Sequence, residues 1–91
     1  MAGYTLKVEY MGAVRLLIGK KDEMMDFSKP PTPDAVLEAI AGRYGEQAVK
    51  ECRKQLFVYY PKGQSAGRVV TSGELLEDRS LVRVVSMVTG G

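Results

Sequence analysis

The chain has 91 residues, 45% of them hydrophobic and 26% charged, the proportions of a globular domain rather than a disordered segment. A chain this short fills a single domain over residues 1–91, because two would each bury too little apolar surface, and its small core argues against a deep catalytic cleft. With 13 Lys plus Arg against 11 Asp plus Glu the net charge is +2, too small to mark a nucleic-acid or membrane-surface footprint.

From Tyr4 to Tyr10 the sequence alternates, with Tyr4, Leu6, Val8 and Tyr10 in one phase and Thr5, Lys7 and Glu9 in the other. That period of two predicts a half-buried strand. Met11-Gly12 breaks the pattern, and Ala13 to Ile18 fits either a return strand or one short helix ending at Gly19. A polar turn at Lys20 to Glu23 leads to a weak strand over Met24 to Phe27, which Pro30-Pro31 stops.

Thr32-Pro33-Asp34 predicts the start of the main helix. Thr caps a free backbone N–H, Pro suits the first helical position, and Asp favours the positive end of the helix dipole. Val36, Leu37, Ile40, Ala41 and Tyr44 then form one apolar stripe, and Gly45 is placed to end the helix in a left-handed turn. Glu46 to Gln55 reads as a second short helix or a turn, and Leu56 to Tyr60 as a strand ended by Pro61. Lys62 to Gly67 is a loop by composition, the place for a flexible insertion. Leu75-Leu76 reads as an apolar anchor, and Leu81 to Val88 as a last, central strand buried on both faces. The simplest arrangement that buries these stripes is an α+β mixed sheet with one main helix packed across it.

The sequence contains no histidine, so it lacks the usual proton shuttle near pH 7 and the commonest transition-metal ligand. One cysteine, Cys52, cannot assemble a four-ligand zinc or iron–sulfur site or close an internal disulfide. With no base beside it in sequence, it reads as a small helix-face residue rather than a nucleophile. No phosphate cradle is visible, since Gly19-Lys20-Lys21 lacks both the spacing and the hydroxyl. No bound cofactor and no metal are therefore expected. The opening residues carry no targeting pattern, and no apolar run approaches the roughly 20 residues that span a bilayer, so the expectation is a cytoplasmic protein without a membrane partner. Lys20, Lys21, Arg53 and Lys54 are the residues an RNA-binding reading would use, but near-neutral charge makes them a solvated face, and no nucleic-acid partner is expected.

What remains is the end of the chain, Val88-Thr89-Gly90-Gly91. A strand leads the chain to the edge of the sheet, and two residues without Cβ atoms then make a thin tail that enters a narrow tunnel where bulkier residues would clash. Such a tail suits a carboxylate presented to another protein. A carboxylate is a poor acyl donor until ATP converts it to an acyl-adenylate, after which a sulfur or amine nucleophile displaces AMP.

On the opening strand Tyr4 to Tyr10, the segment Gly12 to Gly19, the Thr32-Pro33-Asp34 helix start with Leu37 and Ile40, the Leu76 anchor and the Gly-Gly ending, the sequence resembles the MoaD/ThiS family of sulfur carriers. The resemblance covers nearly the whole chain, and its specific part is the ending. It implies a β-grasp, ubiquitin-like fold with a flexible tail at about 88–91. It also implies a role in which Gly91, preceded by Gly90, is adenylated and converted to a thiocarboxylate that donates sulfur. Molybdopterin-cofactor biosynthesis is the nearest pathway, with a thiamine-type carrier or a ubiquitin-like protein modifier as the alternatives. The implied partners are a ubiquitin-activating-type adenylating enzyme, which uses ATP, and a larger synthase subunit. Such a protein is not catalytic alone. Met87, Val88 and Thr89 would touch the partners where the tail leaves the sheet. Ser86 and Met87 stand where molybdopterin-type members often carry two prolines.

Overall fold

The computed structural model describes residues 3–70 and 73–85. Its elements in chain order are β1 (Tyr4–Tyr10), α1 (Ala13–Ile18), β2 (Asp22–Phe27), α2 (Pro33–Tyr44), α3 (Glu46–Arg53), β3 (Leu56–Tyr60), β4 (Arg68–Val69) and β5 (Ser80–Val85). The strands form one mixed sheet in the order β2-β1-β5-β3-β4. β1 and β5 run parallel at its centre, with Leu6 opposite Ser80 and Tyr10 opposite Val84. The other pairings are antiparallel.

One phase of each long strand turns toward the helices. Leu6, Val8 and Tyr10 of β1, Met25 of β2, Phe57 and Tyr59 of β3, and Val82 and Val84 of β5 join Val36, Leu37 and Ile40 of α2 and Ala48, Val49 and Cys52 of α3 in a single core. Burying an aliphatic side chain of this kind stabilises the fold by about 1.5–3 kcal/mol. The apolar stripe of α2 is therefore the main fastening between helix and sheet. Its start is capped as the sequence predicts: Thr32 Oγ1 accepts from the Ala35 N–H at 3.2 Å and Pro33 occupies the first turn. Leu76 is fully buried and its N–H donates to the Pro31 carbonyl at 2.8 Å, so it does anchor the return of the chain.

Several sequence expectations change. Ala13–Ile18 is the helix of its two alternatives, because the side of β1 that a return strand would need is taken by β2. Val14 is buried and Ile18 packs on the core, a spacing of four that suits a helix. Gly19 ends it at φ 82°, in the left-handed region, with its N–H donating to the Arg15 carbonyl at 2.9 Å. β2 starts at Asp22, not Met24, so Asp22 and Glu23 are strand residues rather than a turn. Gly45 ends α2 at φ 94° and ψ 175°, an extended bend rather than a left-handed turn, and it leads directly into α3, the helical alternative for that stretch. β5 lies between β1 and β3 as a central strand should, but it is not buried on both faces: Ser80, Val82 and Val84 are buried, whereas Leu81, Arg83 and Val85 are half-buried.

Candidate functional site

β5 delivers the chain to one end of the sheet. Val85, its last residue, lies opposite Leu56, the first of β3, and the Met11 N–H donates to the Val84 carbonyl at 3.2 Å. The chain beyond residue 85 thus starts where β1 ends, β3 begins and α1 sets off. Met11, beside that exit, is exposed, and so are Leu16 and Leu17 of α1, Leu16 at 86%. The residues singled out for chemistry and partner contact, Met87, Val88, Thr89, Gly90 and Gly91, lie outside the described residues. Their root is described; the tail itself is not.

The face of the sheet turned away from the helices carries an apolar strip whose residues the sequence reading did not name as a surface. Leu56, Val58 and Tyr60 of β3 and Leu81 and Val85 of β5 point to it in register, Leu56 opposite Val85 and Tyr60 opposite Leu81, with Val69 of β4 opposite Val58 at the edge. All but Val69 are half-buried, and Val69 is 55% exposed. A charged row separates this strip from β2. Arg83 Nε donates to Glu9 Oε1 at 2.6 Å, Arg83 Nη1 donates to the Tyr60 hydroxyl at 3.1 Å, and the guanidinium lies 4.9 Å from the Tyr60 ring centre. The signal was present in the sequence: both phases of Leu56 to Tyr60, and most of both phases of Leu81 to Val85, are apolar, so a strand with helices on one side only must leave one apolar phase on the other. At the edge of the strip Gly67 allows a close approach, since a Cβ there would lie 2.6 Å from the Tyr60 ring and 2.8 Å from Val58 Cγ1.

The titratable groups inside the fold are committed to structure. Glu23 accepts hydrogen bonds from the Tyr10 hydroxyl at 2.5 Å, the Tyr44 hydroxyl at 2.6 Å and Arg43 Nη1 at 2.5 Å, with Lys20 Nζ at 3.8 Å. Its side chain is only 8% exposed. Burial alone would raise its pKa, but the three donated hydrogen bonds outweigh burial and hold it below the usual carboxylate value. Burial and the same carboxylate push the Tyr44 hydroxyl up to about 12. Cys52 is fully buried, and burial pushes its thiol up to about 11, so the thiolate needed for nucleophilic attack is scarce at neutral pH. The helix-face reading of Cys52 therefore holds. Among the described residues no cluster of His, Cys, Asp and Glu could hold a metal, and no helix is long and apolar enough to cross a membrane.

No protein-family model matches the sequence, and no curated protein matches it. Solved structures do match in three dimensions. A protein described as molybdopterin converting factor subunit 1 of Pyrococcus furiosus superposes with a TM-score of 0.71 at 19% identity, covering 94% of this chain and all of that one. The small archaeal modifier protein 1 of Haloferax volcanii matches with a TM-score of 0.71 at 13% identity over 94% of this chain and 100% of its own. A structure of SAMP1 from Haloferax volcanii gives 0.66 at 15% identity, over 96% and 99%. At such identities the likeness speaks to architecture, and with the mixed five-stranded sheet and its helices it shows that the chain has the β-grasp, ubiquitin-like fold of these proteins.

Proposed function

We propose that the protein is a sulfur carrier that works through the carboxylate of Gly91. The observation that carries the reading is the course of β5, which takes the chain from the centre of a β-grasp sheet to its end, beside Met11 and Leu56, ahead of a stretch finishing in Gly90-Gly91. The chemistry runs in two steps. The Gly91 carboxylate attacks ATP on an adenylating partner of the ubiquitin-activating type, forming the acyl-adenylate and releasing pyrophosphate. A sulfur nucleophile supplied by the partner system then displaces AMP, and the resulting thiocarboxylate gives its sulfur to an acceptor held by a larger synthase subunit, in molybdopterin assembly by preference and in a thiamine-type pathway otherwise. The protein itself is substrate rather than catalyst in both steps, binds no cofactor, and works in the cytoplasm, where ATP is available. We assign the partner contact to Met87, Val88 and Thr89 together with the strip formed by Leu56, Val58 and Val85.

A second reading, a ubiquitin-like modifier joined to lysines of other proteins through the same activated glycine, is supported by the likeness to the Haloferax volcanii modifier. The two differ only in which nucleophile displaces AMP, sulfur or amine. Intact mass spectrometry separates them. The full chain is incubated with ATP, a sulfur source and the activating enzyme of its own organism, beside a variant lacking Gly91. A mass gain equal to replacing one oxygen by sulfur, absent from the variant, is the expected result. Covalent conjugates larger than the free protein would move the assignment to the modifier, and an unchanged mass with an enzyme active on another carrier would reject both.

A further inference from the structure

The start of β5 forms a second surface, at the opposite end of the sheet from Val85. There a groove of about 460 Å³ runs over the open face between the strands and the turn that follows β3. Its floor is Tyr60 and Leu81, and its cations are Lys7, Lys62, Arg79 and Arg83. Two carboxylates stand near these four cations: Glu9, between Arg83 at 2.6 Å and Lys7 at 3.9 Å, and Asp78, 3.9 Å from Arg79. The local surplus therefore equals the +2 of the entire chain, concentrated in one groove.

The groove is also preformed. Arg79 has φ 59°, a backbone conformation that a side-chain-bearing residue adopts only when held there. Two hydrogen bonds hold it: the Arg79 N–H donates to the Thr5 carbonyl at 2.7 Å, and the Thr5 N–H donates to Asp78 Oδ1 at 2.7 Å. The Asp78 carboxylate is thus turned to β1, while the Arg79 side chain stands 75% exposed. Across the groove, the Gln64 N–H donates to the Pro61 carbonyl at 3.0 Å and closes a tight turn that carries Lys62.

We propose that this groove binds an acidic, extended peptide segment of a partner protein, with carboxylates on Arg79, Lys62 and Lys7 and an apolar side chain on Leu81, beside the edge of Tyr60. Two observations favour a peptide over a nucleic acid. A surplus of two charges releases too few counterions to hold a phosphate backbone at physiological salt. The Tyr60 ring, the groove's one aromatic platform, is already covered by Arg83 at 4.9 Å and cannot stack a base on that side. The proposal does not depend on the fate of Gly91.

The test uses the full chain, isotope-labelled for NMR, and three probes: a fluorescein-labelled peptide of alternating Glu and Leu, its Lys and Leu counterpart, and a single-stranded RNA dodecamer. The acidic peptide should shift the amide signals of Lys7, Lys62, Gly63 and Arg79. Its affinity should fall about tenfold or more in the exposed double variant K62E/R79E, whose retained fold the same spectra verify, and should weaken on raising the salt. Equal binding of the basic peptide, tighter binding of the RNA, unchanged affinity in the variant, or shifts confined to other parts of the molecule would each overturn the proposal, as would no binding at all.

Discussion

The two faces of the sheet are built from the same strands and nearly the same residue types, yet they differ in what holds them. On the helix side Val82, Val84, Leu6 and Ile40 are fully buried, each contributing its whole apolar surface. On the open side Val58, Leu81 and Val85 remain half-exposed and share the face with the Arg83–Glu9 pair. The covered face makes the protein fold, and the open face leaves apolar surface available to something else. Substitutions that are alike in chemistry should therefore have unlike effects on the two sides.

The largest effect is expected at the covered face, where Ile40→Ala should cost about 2–5 kcal/mol of stability, read from urea unfolding. A smaller one is expected at its polar margin. Glu23→Gln removes the charge that accepts from Tyr10, Tyr44 and Arg43 and should cost about 1–3 kcal/mol at pH 7. Because Glu23 in the folded protein titrates below its unfolded value, its contribution is fully present above the unfolded value of about 4.3 and is lost as the pH falls through the folded one. The gap between wild type and variant should accordingly be constant from about pH 5 to about pH 8 and shrink as the pH falls below the unfolded carboxylate value. A gap that persists into acid would mean that the hydrogen-bond geometry, and not the charge, is what counts. The smallest effect belongs to the open face: Val58→Ala should change stability by about 1 kcal/mol or less. A loss as large as that of Ile40→Ala would erase the distinction between the faces.

The contrast also explains which parts of the structure could be read from residues alone. β1 and α2 were legible because their patterns are local: a strict alternation over Tyr4 to Tyr10, and a stripe opened by Thr32 and Pro33. α1 was ambiguous because six residues sustain either period, and its choice is made by β2 occupying the edge of β1. The beginning of β2 was hidden for a similar reason. Asp22-Glu23 looks like a turn, and Glu23 is tolerated in a strand only because two tyrosines and an arginine from other elements converge on it. For β5, an apolar run in both phases predicts burial on both faces, whereas one phase is the open strip. The strip at the root of the tail was thus in the sequence but assigned to the interior. The cationic groove was not readable at all, since Lys7, Lys62, Arg79 and Arg83 meet only through the parallel pairing of β1 with β5 and the turn after β3.

That parallel pairing has a further consequence for how the molecule comes into being. Leu6 lies beside Ser80 and Tyr10 beside Val84, so the two middle strands of the sheet are separated by almost the full sequence, and contacts of such long separation form late. During synthesis β1 has β2 on one side but waits without β5 on the other until the ribosome has released residues 80–85. A chain cut short before that point has a gap where its central strand should be, whereas a chain that has closed the sheet has already put residue 85 in place at the end of that strand.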